Sequence, residues 1–187
     1  LYLASTVFVC YMSFNLKAGL INPVTWNALF WIIILFTAVN AVAKSFIQEA
    51  NGRLLYYYSL ARPEHIILSK MIYYALLLLV LTLVGYLFYS AVMGNPVKDP
   101  LFFILVVALG AIGLSAALTM ISGIASKAPN SHTLVAVLSF PVILPMLLVI
   151  IKSAKNALDG LERSTYTDQI FVLLAINAII VAVSYML

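Results

Sequence analysis

The stretch LFFILVVALGAIGLSAALTMISGIA, residues 101–125, contains no Asp, Glu, Lys, Arg or His. A helix needs about 20 predominantly apolar residues to cross the hydrocarbon core of a bilayer, and this run supplies them without interruption. The whole chain repeats the message: 65% of its 187 residues are apolar, 9% are charged and the mean hydropathy is +1.12. Ordinary soluble domains hold roughly 45–50% apolar and 25% charged residues. With lipid as the solvent, backbone polar groups have to be satisfied inside each segment, which selects helices over open sheets.

Outward from this run, five more apolar stretches are bounded by charge, Pro, Gly or Asn. Upstream lie Leu1 to about Leu16, stopped by Lys17 and Gly19, and Val24 to Ala43, which follows the reset at Asn22-Pro23. Trp26 and Trp31 near the start of the latter are read as interfacial anchors. A third runs from Ile66 or Lys70 to Val92 and ends in the tight loop Gly94-Asn95-Pro96. Downstream come Thr133 to Ile151, a polar loop from Lys152 to Asp168, and Gln169 to Leu187. The sequence therefore predicts an all-α integral membrane protein of about six transmembrane helices, forming one domain over residues 1–187. The first and last helices are expected to be cut short, with a segment missing upstream of Leu1. A cleaved signal peptide does not fit, since no basic leader or small-residue cleavage site precedes the first run.

Within the spans, Gly110, Gly113 and Ala117 let another helix approach closely, Gly113 and Ala117 on one shared face. Pro141 and Pro145 remove two backbone donors from the fifth span and are expected to bend it, with neighbours satisfying the freed carbonyls. Asn40 and Asn177, deepest of the polar side chains, are expected to hydrogen-bond between helices. Tyr73, Tyr74, Tyr86 and Tyr89 are read as belt residues at the membrane surfaces in preference to a wall for a planar ligand.

Chemistry is sparse. Ionisable groups at bilayer depth mark functional sites by default, yet the six carboxylates, Glu49, Glu64, Asp99, Asp159, Glu162 and Asp168, all fall in loops or at span ends. His65 and His132 sit at helix boundaries without metal-ligand spacing. Cys10, the lone cysteine, permits neither an intramolecular disulfide nor a cysteine cluster. No Walker-type loop or GxSxG elbow occurs, so the chain is expected to be a non-catalytic membrane subunit with no metal and no directly bound cofactor. The net charge of +4 is scattered and gives no case for nucleic acid. Lysines and arginines divide evenly between the sides, Lys44, Arg53, Arg62, Lys70 and Lys127 against Lys17, Lys98, Lys152, Lys155 and Arg163, so the positive-inside rule assigns no orientation.

The segment Phe46 to Lys70 is different in kind. It is expected to hold an amphipathic surface helix from about Gly52 to Leu60, followed by a turn at Arg62-Pro63. Its run Phe46-Ile-Gln-Glu49-Ala-Asn51-Gly52-Arg53-Leu54, the Pro63 to Lys70 opening of the third span, and the pair Pro141-Val-Ile-Leu-Pro145 together resemble the cytochrome c maturation permease, or haem exporter protein B, family of ABC-2 type export permeases. The sequence departs from that pattern at Leu55 and at Tyr56-Tyr57-Tyr58. The resemblance implies a homodimeric permease in the inner membrane, paired with a separate ABC ATP-binding subunit that binds ATP on the cytoplasmic face. Glu49, Asn51, Gly52, Arg53, Leu54, Tyr57, Arg62 and Pro63 would form the ATPase-coupling interface. It further implies work with a haem-handling membrane protein and a periplasmic haem chaperone, haem being the cargo of the complex. The same fold exporting a glycan, lipid or drug, and a membrane scaffold without an ATPase, are the rival readings.

Overall fold

The computed structural model describes residues 2–14, 21–42, 63–126, 128, 131–160 and 167–186. Among them the chain forms six α-helices: α1 (Tyr2–Phe14), α2 (Pro23–Val42), α3 (Pro63–Met93), α4 (Pro100–Ala125), α5 (Ser131–Asp159) and α6 (Thr167–Met186). Five of them, α2 to α6, are long and apolar enough to cross a membrane, while α1 is a shorter apolar helix. The chain is a multi-pass membrane protein. Of the proposed coupling residues, Glu49, Asn51, Gly52, Arg53, Leu54, Tyr57 and Arg62 lie outside the described residues, whereas Pro63 opens α3.

The stretch read first, now α4, is the hub: it packs against α2, α3, α5 and α6, and α1 attaches to α2 and α3. Small residues at Gly110, Gly113, Ala116 and Ala117 thin this helix so that neighbours can close in around it.

Hydrogen bonds fix one end of the bundle. The indole Nε1 of Trp26 donates to the Gly94 carbonyl at 2.9 Å, and Gly94 takes φ 80°, a left-handed value that favours glycine. Asp99 caps α4 by accepting from the Phe102 amide at 3.1 Å, with Pro100 in the first helical turn. The Asp99 amide itself donates to the Ala157 carbonyl at 3.0 Å, and Asn156 Nδ2 donates to Gln169 Oε1 at 2.6 Å. These links gather residues 22–27, 93–100, 152–160 and 167–169 at what we call the Gly94 end. Val42, Pro63, Ala125 and Ser131 mark the opposite, Pro63 end.

Two boundary expectations are corrected. The third span begins at Pro63, earlier than Ile66 or Lys70, because proline suits the first turn of a helix. The fifth continues past Ile151 to Asp159, through residues expected to be loop. Its last two turns are amphipathic: Ser153, Ala154, Ala157 and Leu158 are buried, while Lys152, Lys155 and Asp159 are exposed. Gly160, at φ 68°, then ends the helix in a left-handed turn against the stem of Lys98, whose ammonium donates to the Asp159 carbonyl at 3.3 Å.

The two tryptophans are not interfacial anchors. Trp26 and Trp31 are buried, and so are Tyr86 and Tyr89, which were expected in the belt. Trp26, Trp31 and Tyr86 reach residues of α4, and Tyr89 packs on Trp26 and Phe30 of α2, so packing between helices outcompetes the headgroup layer.

Candidate functional site

Two glycine seats on α4 set how its neighbours dock. Over Gly110 lies the ring of Trp31 from α2. A Cβ at Gly110 would meet Trp31 Cη2 at 2.8 Å and Cζ3 at 3.0 Å, closer than real Cβ contacts allow. Over Gly113 sit the Asn177 amide oxygen from α6 and the Met146 methyl from α5, both where a Cβ would go. The neighbours at Gly113 are α5 and α6. Ala117, one turn on, is fully buried.

The seat at Gly113 has a polar purpose. Asn177 Nδ2 donates to the Leu109 carbonyl at 3.1 Å, the oxygen that the Gly113 amide faces within the α4 ladder. Without a side chain at Gly113, the amide of α6 can reach the backbone of α4. Asn177 is thus the interhelical bond expected of it. Asn40 is not: it is exposed and donates to Phe36 of its own helix at 2.9 Å. The sequence reasoning missed Asn27, which is buried on α2 and donates to the Ile151 carbonyl of α5 at 2.8 Å. A signal existed, since Trp26, Asn27, Phe30, Ile34, Thr37 and Ala38 recur at helical spacing and form the buried face of α2.

Between α2, α3 and α4 at the Gly94 end, Trp26, Phe30, Tyr86, Tyr89 and Phe103 make one aromatic cluster. Trp26 and Phe30 stack with centroids 5.8 Å apart, and Tyr89 lies 4.8 Å from Trp26. Phe103 completes it at 5.0 Å from Tyr86 and 5.6 Å from Phe30. The Tyr89 hydroxyl donates to the Trp26 carbonyl at 3.1 Å, and Asn95 Nδ2 reaches the Tyr86 hydroxyl at 3.3 Å. Aromatic pairs at these separations each add about 0.5–1.5 kcal/mol beyond area burial. The cluster is a solid plug that holds three spans rigidly together.

Pro141 and Pro145 both lie on the exposed face of α5, and the helix runs through them unbroken. Each missing amide frees the carbonyl four residues earlier, at Val137 and Pro141. Among the described residues no group of three or more His, Cys, Asp or Glu could hold a metal ion. The buried polar side chains of the described bundle are neutral: Asn27, Thr37, Thr82, Ser115, Thr119, Ser122, Ser139, Ser153, Asn177 and Ser184. Of these, Asn27 and Asn177 bond across helices, whereas Thr37, Thr82, Ser115, Ser153 and Ser184 donate to carbonyls of their own helices. Compared with protein-family models, curated proteins and solved structures, the chain matches none.

Proposed function

We propose that this chain is the transmembrane permease subunit of an export-type ATP-binding cassette complex that serves cytochrome c maturation. In this reading a separate subunit hydrolyses ATP, and the permease converts its motion into release of a haem-loaded chaperone from a companion haem-handling membrane protein. The permease works as a homodimer in the inner membrane, with the Pro63 end toward the cytoplasm.

The observation that supports the reading most directly is the length of α3. At 31 residues it measures about 46 Å, against a hydrocarbon core of about 30 Å. A tilt of about 20° shortens its projection by only about 3 Å. Counting about 20 residues back from Met93 places the membrane boundary near Tyr73, so the turns from Pro63 to Ile72 extend outward as a continuation of the span. A rigid helix continuous with a span suits the transmission of rigid-body motion from a soluble ATPase, with the Glu49 to Pro63 segment as its docking site. The aromatic plug at the other end of α3 gives such a lever a fixed anchor. The three-part sequence resemblance supplies the haem assignment.

Co-purification of a tagged full-length chain from its native membrane, read by mass spectrometry and haem absorbance, tests the proposal. Recovery of an ATP-binding subunit together with haem-chaperone machinery is expected. An ATPase with other partners would leave the export fold and overturn the haem assignment; absence of any ATPase would overturn the transporter reading.

A further inference from the structure

The two halves of α5 are held very differently. From 146 to 158, seven of thirteen residues are buried. Hydrogen bonds also clamp this half to the rest of the Gly94 end: Asn27 Nδ2 donates to the Ile151 carbonyl at 2.8 Å, the Asp99 amide to the Ala157 carbonyl at 3.0 Å, and Asn156 Nδ2 to Gln169 Oε1 at 2.6 Å. From 133 to 145, three of thirteen residues are buried and seven are exposed. Among the described residues, this half makes no hydrogen bond to another helix.

Pro141 and Pro145 stand at the junction. They share a face with Val137, about 200° round the helix from the buried row Val135, Ser139 and Ile143. Their missing amides remove two successive rungs from the helical ladder, both on the side away from the bundle. A helix bends where its ladder is interrupted. The bend carries the first turns of α5 toward or away from α4, because Met146, seven residues past Ser139 and on nearly the same face, sits over Gly113.

We infer that α5 is a hinged helix, whose arm at the Pro63 end, residues 131–140, swings about Pro141 and Pro145 while the half at the Gly94 end stays clamped. The arm is about 15 Å long, so a kink of about 20° moves its tip by about 5 Å. The seam it has to break is one side chain wide, since Val135, Ser139 and Ile143 recur at intervals of four. Ser139 buries its hydroxyl there without a hydrogen-bond partner, which weakens the closed position further. The swing parts α5 from α4 at the Pro63 end and leaves the Gly94 end shut. It rests on the packing of α5 and holds whichever partner or cargo the chain serves.

Electron paramagnetic resonance distance measurements on the full-length chain in lipid nanodiscs test the hinge. Nitroxide labels are attached through Ile72→Cys on α3 paired with Thr133→Cys on the arm, and through Ile72→Cys paired with Leu148→Cys on the clamped half. All three positions are exposed, and Cys10→Ser removes the native thiol. The Thr133 pair is expected to give a distance distribution about 4 Å broader than the Leu148 pair, the displacement that a kink of about 20° produces eight residues from Pro141. Pro141→Ala combined with Pro145→Ala restores both rungs and narrows the Thr133 distribution to the width of the Leu148 one, which itself stays unchanged. Both prolines are exposed, so the double variant disturbs no buried contact. Equal widths in the native chain overturn the hinge, a result read without any proline variant. A broad Thr133 distribution that persists in the double variant overturns it as well, because fraying of the first turn, unlike a hinge, does not depend on the prolines.

Discussion

Substitution of Gly110 by alanine puts the hub to its sharpest test. The added methyl would lie 2.8 Å from Trp31 Cη2 and 3.0 Å from Cζ3, whereas carbon atoms settle at about 3.5–4.0 Å, so the indole has to retreat by about 0.5–1.2 Å. It has little freedom to do so. Trp31 is fully buried, and Phe30 meets it edge-on with centroids 5.3 Å apart. Overpacking of this kind costs about 1–3 kcal/mol, and the higher helix propensity of alanine returns up to about 1 kcal/mol. The expected net destabilisation is about 1–2 kcal/mol, measured by reversible unfolding of the full-length chain in mixed micelles. Trp31→Phe shortens the ring and is destabilising alone, but in the double variant it relieves the clash. The pair should therefore couple by about 1 kcal/mol or more in a double-mutant cycle. Additivity within about 0.5 kcal/mol, or stabilisation by Gly110→Ala, would refute the seat.

Other expectations follow from the same packing. Gly85→Ala is expected to be nearly neutral in the same assay, because its nearest obstacle, Leu3 Cδ1 at 2.8 Å, is the tip of a flexible side chain that can turn away. Asn177→Leu removes the bond to Leu109 and is expected to cost about 0.6–1.7 kcal/mol, while Gly113→Ala, which displaces both Asn177 and Met146, costs more than Asn177→Leu. Gly160→Ala forces alanine into φ 68° and is expected to destabilise by about 1–2 kcal/mol, with Gly160→Asn recovering part of the loss. Under the proposed function, Gly52→Leu or Glu49→Ala abolishes co-purification of the ATP-binding subunit while leaving the unfolding midpoint of the bundle unchanged; retention of the subunit by both variants would sink the coupling role.

The sequence by itself determined the solvent, the helical class and the order of six apolar runs, five of which form helices long enough to span. Apolar runs of membrane length select helices for a chain that has to satisfy its backbone in lipid, and Asn22-Pro23 and Gly94-Asn95-Pro96 punctuate those runs by local conformational preference. It also picked out Gly113 and Asn177, since a small residue and a buried amide in lipid each call for a neighbouring helix. Which side chain meets which was settled by the tertiary structure. Trp26, Trp31, Tyr86 and Tyr89 carry the signature of interfacial anchors, and the same amphipathic rings serve equally well in a core when a partner carbonyl lies in reach, as Gly94 does for Trp26. The last turns of α5 read as loop because lysines and Asp159 alternate with small residues. Only once Ser153, Ala154, Ala157 and Leu158 are seen to be buried does the helix make sense there. Hydropathy records how much each residue gains by leaving water and carries no direction; in a bilayer, where lipid and protein interior are almost equally apolar, contact geometry alone separates the buried faces of α2 and α4 from the lipid-facing strip of α3.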